Sequence, residues 1–150
     1  MSSNNPYNAN ALVQTTICSQ ANFSHWADRR GAELEVARIL HPAPPNVHFD
    51  ELGGIFHAGN RFYLQVIEGP PVSLDWYLDH LKSDDRHTDV KTLDTQPITF
   101  RRFKAGHMRY VGSEKDMHAI QEQAGARAFD PYCYDASMIE AFIDLAQPTD

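Results

Sequence analysis

The run Phe62-Tyr63-Leu64-Gln65-Val66-Ile67 is apolar or aromatic at every position but one, and its β-branched and aromatic content predicts a buried strand. Gly59-Asn60 before it predicts a hairpin turn, pairing the strand with Gly53-Gly54-Ile55-Phe56-His57. Glu68-Gly69-Pro70-Pro71 ends the strand and opens a helix, in which Leu74, Leu78 and Leu81 recur at helical spacing with Trp76 and Tyr77 beside them. That helix stops at Ser83-Asp84-Asp85-Arg86-His87. Upstream, Val13, Thr15 and Ile17 alternate with Gln14, Thr16 and Cys18, which predicts a first strand from Leu12 to Ser19. Leu34, Ala37 and Leu40 form one stripe of a helix within residues 24–40. The prolines of His41-Pro42-Ala43-Pro44-Pro45 close it, because proline cannot continue the backbone ladder.

Downstream, residues 88–93 and 98–104 read as two further strands, with Pro97 between them or at their edge. Ser113 is placed to cap a helix with Glu114 and Asp116 in its first turn and Met117 and Ile120 inward. A last helix over residues 136–146 carries Met138, Phe142 and Leu145 on one face. The order β-α-β-β-α-β-β with two trailing helices predicts an α+β sandwich of ferredoxin-like type. Two helices would cover one sheet face, and the C-terminal pair part of the other. Residues 1–11 are polar and without period, as in a mobile tail, and residues 12–150 read as a single domain.

The chain's 150 residues suit one core, and 22% charged and 42% apolar residues are ordinary for a globular domain. A net charge of −7 argues against a nucleic-acid or anionic-membrane partner. The cluster Arg101, Arg102, Lys104, His107 and Arg109 reads as a solvated strand face. With no apolar run of spanning length, no signal peptide and two distant cysteines, Cys18 and Cys133, a cytoplasmic protein with reduced thiols is expected. Catalysis finds no support. The eight histidines show no metal-ligand spacing, and neither a phosphate loop nor a nucleophile setting is recognisable.

The candidate chemistry lies with Gln65. A primary amide inside a buried strand must find partners for two donors and an acceptor. A neighbouring side chain or buried water would make it a register pin; a bound ligand with donor and acceptor edges would make it a site.

The strand with Gln65, its Glu-Gly ending, the following helix with Asp85-Arg86-His87, then Arg102-Phe103 and Met108 together resemble the BLUF family of flavin-binding blue-light sensors. The resemblance spans roughly residues 12–145. It implies an isoalloxazine ring held between the two sheet-packed helices by an Asn, a Gln and an Arg-His pair. Counting seven residues back from Gly53 puts the Asn at Asn46; the others fall on Gln65, Arg86 and His87, with Met108 as the Met neighbouring the Gln. An Asn amide can bond both edges of such a ring, although Asn46 also suits a plain turn after Pro45. A lone His ending a helix, such as His87, is more often a cap, and a Met on a strand, such as Met108, is normally core. FAD is the implied cofactor, with FMN or riboflavin not excluded and a cofactor-free state open.

Three departures stand out. The family's first strand has a Tyr two positions before a Ser, and that Tyr gives an electron and a proton to excited flavin. Ser19 is preceded at that spacing by Ile17, which has neither oxidisable ring nor hydroxyl. The family's Trp two residues before the Met is Gly106 here, and the stretch between Ser19 and Asn46 is longer than usual. A one-residue shift would put Cys18 at the Tyr position and turn the other strand face to the site. Tyr63, roughly 6–7 Å from Gln65 along the same strand face, is a second oxidisable ring, though core packing explains it more simply. The expected function is therefore a BLUF-type flavin sensor with lost or altered photochemistry, or alternatively a cofactor-free interaction module. Its expected partners are proteins of a signalling pathway or a second copy of the chain.

Overall fold

The strands over residues 12–21, 53–59 and 62–69 are buried on both faces under apolar helix cover, and two more exposed strands extend them into one five-stranded sheet. The computed structural model describes residues 11–21, 50–84, 87–125 and 128–146. The elements are β1 (Leu12–Ala21), β2 (Gly53–Gly59), β3 (Phe62–Gly69), α1 (Pro71–Lys82), β4 (His87–Ile98), β5 (Met108–Tyr110), α2 (Glu114–Gln121) and α3 (Ala136–Asp144). Short 3-10 turns fall at Glu122–Ala124 and Pro131–Cys133. The strand order is β4-β1-β3-β2-β5. β1–β3, β1–β4 and β2–β3 are antiparallel, and β5 joins β2 in parallel. This is the expected ferredoxin-like α+β architecture with one added edge strand. The predicted tail and the helix of residues 24–40, with its Leu34, Ala37 and Leu40 stripe, lie outside the described residues, apart from Ala11 at the tail's end.

The β2–β3 hairpin turns at Asn60-Arg61, one position later than expected, with Gly59 and Phe62 as its last pair. Both turn residues have positive φ, 48° and 68°, the twist that a two-residue hairpin loop requires. α1 begins with Pro71 at its first position, where the missing N–H costs nothing, and it buries Ser73, Leu74, Tyr77 and Leu81. α2 has the expected Ser113 cap as a full capping box with Asp116, and Asp135 caps α3 by accepting from the Met138 N–H at 2.9 Å.

The two strands expected at residues 88–93 and 98–104 are instead one strand, β4, which ends at Ile98. Pro97 is tolerated near its end because β4 is an edge strand. Residues 99–107 are irregular for a physical reason. Glu68 takes the Arg102 and Phe103 backbone N–H groups at 2.8 and 3.0 Å, so they cannot join a ladder. Two register shifts against β1 bracket Ile17 and Cys18, and Asp89 takes a positive φ of 51° at the second. The Asp89 carbonyl there accepts from the Tyr132 hydroxyl at 2.6 Å.

Each face has its own core. Ile17, Leu52, Phe56, Tyr63 and Ile67 pack under Leu74, Tyr77 and Leu81 of α1. On the other face Ile55, Leu64 and Val66 meet Met117 and Ile120 of α2 and Met138, Ile139, Phe142 and Ile143 of α3. Each fully buried aliphatic or aromatic side chain contributes roughly 1.5–3 kcal/mol.

Candidate functional site

β3 occupies the middle of the sheet, so Gln65 has a neighbour strand on either side. Its Cα partners are Ile17 on β1 and Phe56 on β2, both apolar. Strand alternation sends Gln65 to the α1 face with Tyr63 and Ile67, and it is 2% exposed. Above it, the Tyr77 hydroxyl of α1 donates to the Gln65 side-chain oxygen Oε1 at 2.5 Å. The amide nitrogen has no hydrogen-bond partner among the described residues. Burial pushes the Tyr77 hydroxyl far above the usual phenol range; Asp84 adds to this and the Gln65 bond opposes it. Tyr77 is therefore a neutral donor at any physiological pH.

Ile17 lies on this same face and is 1% exposed, whereas Cys18 belongs to the opposite one, where burial raises its thiol pKa to about 12. Ile17 and Gln65 thus share one face, and Cys18 does not. Ser19, two residues on, contacts His87: the Ser19 Oγ lies 2.8 Å from the His87 Nδ1. The His87 ring packs 4.5 Å from that of Tyr63. His87 is thus the first residue of β4 and joins the same floor, rather than simply capping α1. Met108, at the start of β5, packs into the α1-side cluster from beyond β2, opposite Gly54. A side chain at Gly54 would come within 3.2 Å of the Met108 sulfur. Gly106 sits at φ +80° with its N–H on the Leu52 carbonyl, a left-handed turn that a Trp would strain.

The structure therefore gathers Ile17, Gln65, His87 and Met108 on one sheet face. Asn46 and Arg86 lie outside the described residues. The sequence reading missed three features. Tyr77 was placed beside the leucine stripe, yet it lies three residues after Leu74 and four before Leu81, and a phenol on such a stripe needs a polar partner when buried. The Ser19–His87 pair joins residues 68 positions apart, which no local signal announces. Glu68 was taken as a strand terminator; it is fully buried and holds three donors.

The basic cluster is solvated, as expected, with Arg102, Lys104, His107 and Arg109 exposed, but only Arg109 lies in a strand. Arg101 bonds the Glu51 carbonyl, Arg102 pairs with Glu140, and Arg109 reaches the Ala146 carbonyl. A broad recess of about 1250 Å³ lies between the end of β2 and the start of α2, away from Gln65. Two of its inner polar groups are already engaged, His57 Nδ1 with the Val111 carbonyl and Ser113 with Asp116. Among the described residues no group of His, Cys, Asp and Glu could hold a metal, and no helix is long and apolar enough to cross a membrane.

A five-stranded ferredoxin-like sheet with a half-engaged buried amide under one helix defines a small α+β domain. Sequence comparison gives the family: residues 11–109 match the BLUF family, described as sensors of blue light using FAD. The chain belongs to that family. Its fold resembles BlsA in its photo-activated state, at a TM-score of 0.73 and 20% identity over 93% of this chain and 99% of BlsA. The dark-state structure of the BLUF protein BlrB aligns at 0.60 and 28% identity, covering 77% of this chain and 82% of that one. Klebsiella pneumoniae BlrP1 with FMN and cyclic diGMP aligns at 0.55 and 21% identity, over 89% of this chain and 34% of BlrP1. No curated protein matches the sequence.

Proposed function

We propose that this chain binds a flavin, FAD in the first place, against the α1 face of its sheet and acts as a blue-light sensor with altered photochemistry. The observation that carries this reading is Gln65, a buried amide whose oxygen is engaged and whose nitrogen has no partner among the described residues. Two unspent N–H donors beside apolar Ile17 and Phe56 suit the carbonyl or ring nitrogen of a flat, largely apolar heterocycle. Asn46, Arg86 and His87 would complete the contacts, with Met108 lining the far edge. The flavin supplies the light absorption and redox chemistry; the chain supplies the hydrogen bonds that respond to it. Ile17 cannot donate an electron or a proton, so the photoresponse differs from one built on a Tyr at that position.

One domain, from residue 12 through α3, would perform this role in the cytoplasm without catalysis of its own. Its output would be a change in affinity for a partner protein of a signalling pathway or for a second copy, read through α2 and α3 on the far face. A second reading, a cofactor-free interaction module, is favoured by Ile17, which fills its place at 1% exposure as a closed pocket requires. The visible spectrum decides between them. The purified protein with excess FAD, desalted and then illuminated, should keep a structured flavin band that Gln65→Leu weakens. A colourless protein would favour the module. A light-induced shift as large in the wild type as in Ile17→Tyr would refute the altered photochemistry.

A further inference from the structure

Gln65 has two polar ends, and the residues around it make those ends unequal. Its oxygen accepts from Tyr77, a residue of α1 rather than of the sheet. The strand partners on either side, Ile17 and Phe56, offer no side-chain donor or acceptor. The orientation of the amide is therefore set from above. Turning it over would bring the amide nitrogen to the phenol oxygen and leave the phenol proton without an acceptor among the described residues. Turned over, the pair would also strand one amide N–H and the amide oxygen, whereas the observed arrangement strands only the two amide N–H groups, so the observed one is held.

We propose that Tyr77 is the positioning residue of this site: by holding the Gln65 oxygen towards α1, it commits both amide N–H donors to the ligand side. The site then selects the acceptor edge of the ring, a carbonyl or an unprotonated ring nitrogen. This rests on the flavin reading above. It also places the hydroxyl that touches Gln65 on a helix, opposite a strand position, residue 17, that cannot supply one. Burial, which keeps Tyr77 protonated, supports the donor role.

The test uses the full chain with FAD as the probe and Tyr77→Phe as the variant, since the ring stays and only the hydroxyl goes. We expect the visible maximum of bound FAD to be displaced and the affinity to fall about three- to tenfold. In the flavin-free protein the Gln65 side-chain amide resonances should move. Leu74→Ala, which loosens the same helix without touching the amide, should lower stability and leave the maximum in place. A Leu74→Ala variant that displaces the band as far as Tyr77→Phe overturns the assignment. So does a Tyr77→Phe band identical to wild type. If Tyr77→Phe fails to fold, the wild-type protein alone still decides: a Tyr77 ring with no through-space contact to the Gln65 side chain overturns the lock. Wild-type protein that takes up no FAD, with the Gln65 resonances moving as expected, instead refutes the cofactor reading and the ligand side of this inference with it.

Discussion

β3 carries two buried polar side chains three residues apart, and they have opposite fates. Glu68, on the α2–α3 face, accepts from the Arg102 and Phe103 backbone N–H groups and from Gln14 Nε2 at 3.2 Å. Gln14 is in turn bonded by Gln96, so the network runs from β4 across β1 to β3. Gln65, on the α1 face, has one described partner. Both are almost completely buried, so burial does not distinguish structure from site; the degree of satisfaction does. A saturated carboxylate shapes the chain around it, here turning residues 101–103 away from the sheet. A half-engaged amide keeps donors that no described residue takes.

The largest effect should come from Glu68→Ala, which strands two backbone N–H groups and Gln14 and should cost about 3–5 kcal/mol in urea unfolding. Amide exchange at Arg102 and Phe103 should accelerate with it. A cost below about 1 kcal/mol would erase the contrast between the two residues. Gln65→Leu should separate the two quantities. It orphans only the Tyr77 hydroxyl, about 1–2 kcal/mol of stability, while FAD affinity should fall by roughly tenfold or more. Unchanged uptake with a large stability loss would make Gln65 a second Glu68.

The pH dependence sharpens the same contrast on the Glu68 face. Burial lowers the pKa of His57 below 6.5, opposed by its bonds to the Val111 and Gly112 backbone and by Asp116. The unfolded chain therefore binds more protons below about pH 6.5 than the folded one. The stability from neutral His57 is full above that pH and is lost as the pH falls through the lower folded value. His57→Phe should flatten this loss between about pH 7.5 and pH 5; an unaltered slope would assign it elsewhere. The smallest effect belongs to Arg102→Ala. Its pair with Glu140 is nearly half exposed on both sides, so about 0–1 kcal/mol is expected, fading with salt. A loss several times larger would make the Arg102–Glu140 pair, rather than the backbone held by Glu68, the main tie between this turn and α3.

Periodicity was a good guide wherever one face of an element is buried. β1, the β2–β3 hairpin, α1, α2 and α3 all followed from alternation, helical spacing, turn residues and caps. It failed at residues 98–104, because a carboxylate 34 residues away diverts the backbone donors that a strand there would need. The site was legible in part for a similar reason. Gln65 declares itself as an amide in an apolar run, but its partner comes from a different element. Tyr77 and the Ser19–His87 pair become meaningful only once β1, β3, β4 and α1 are stacked together.

The long outer strand β4 has a further consequence. Twelve residues at the rim of a sheet offer a free row of backbone groups to any passing chain, and most such rims invite unwanted stacking. Here the rim is broken by two register shifts, carries Asp89, Lys91 and Asp94, and has Pro97 near its end. Such a border is hard to copy. Strand-to-strand addition at β4 is disfavoured by these breaks and charges.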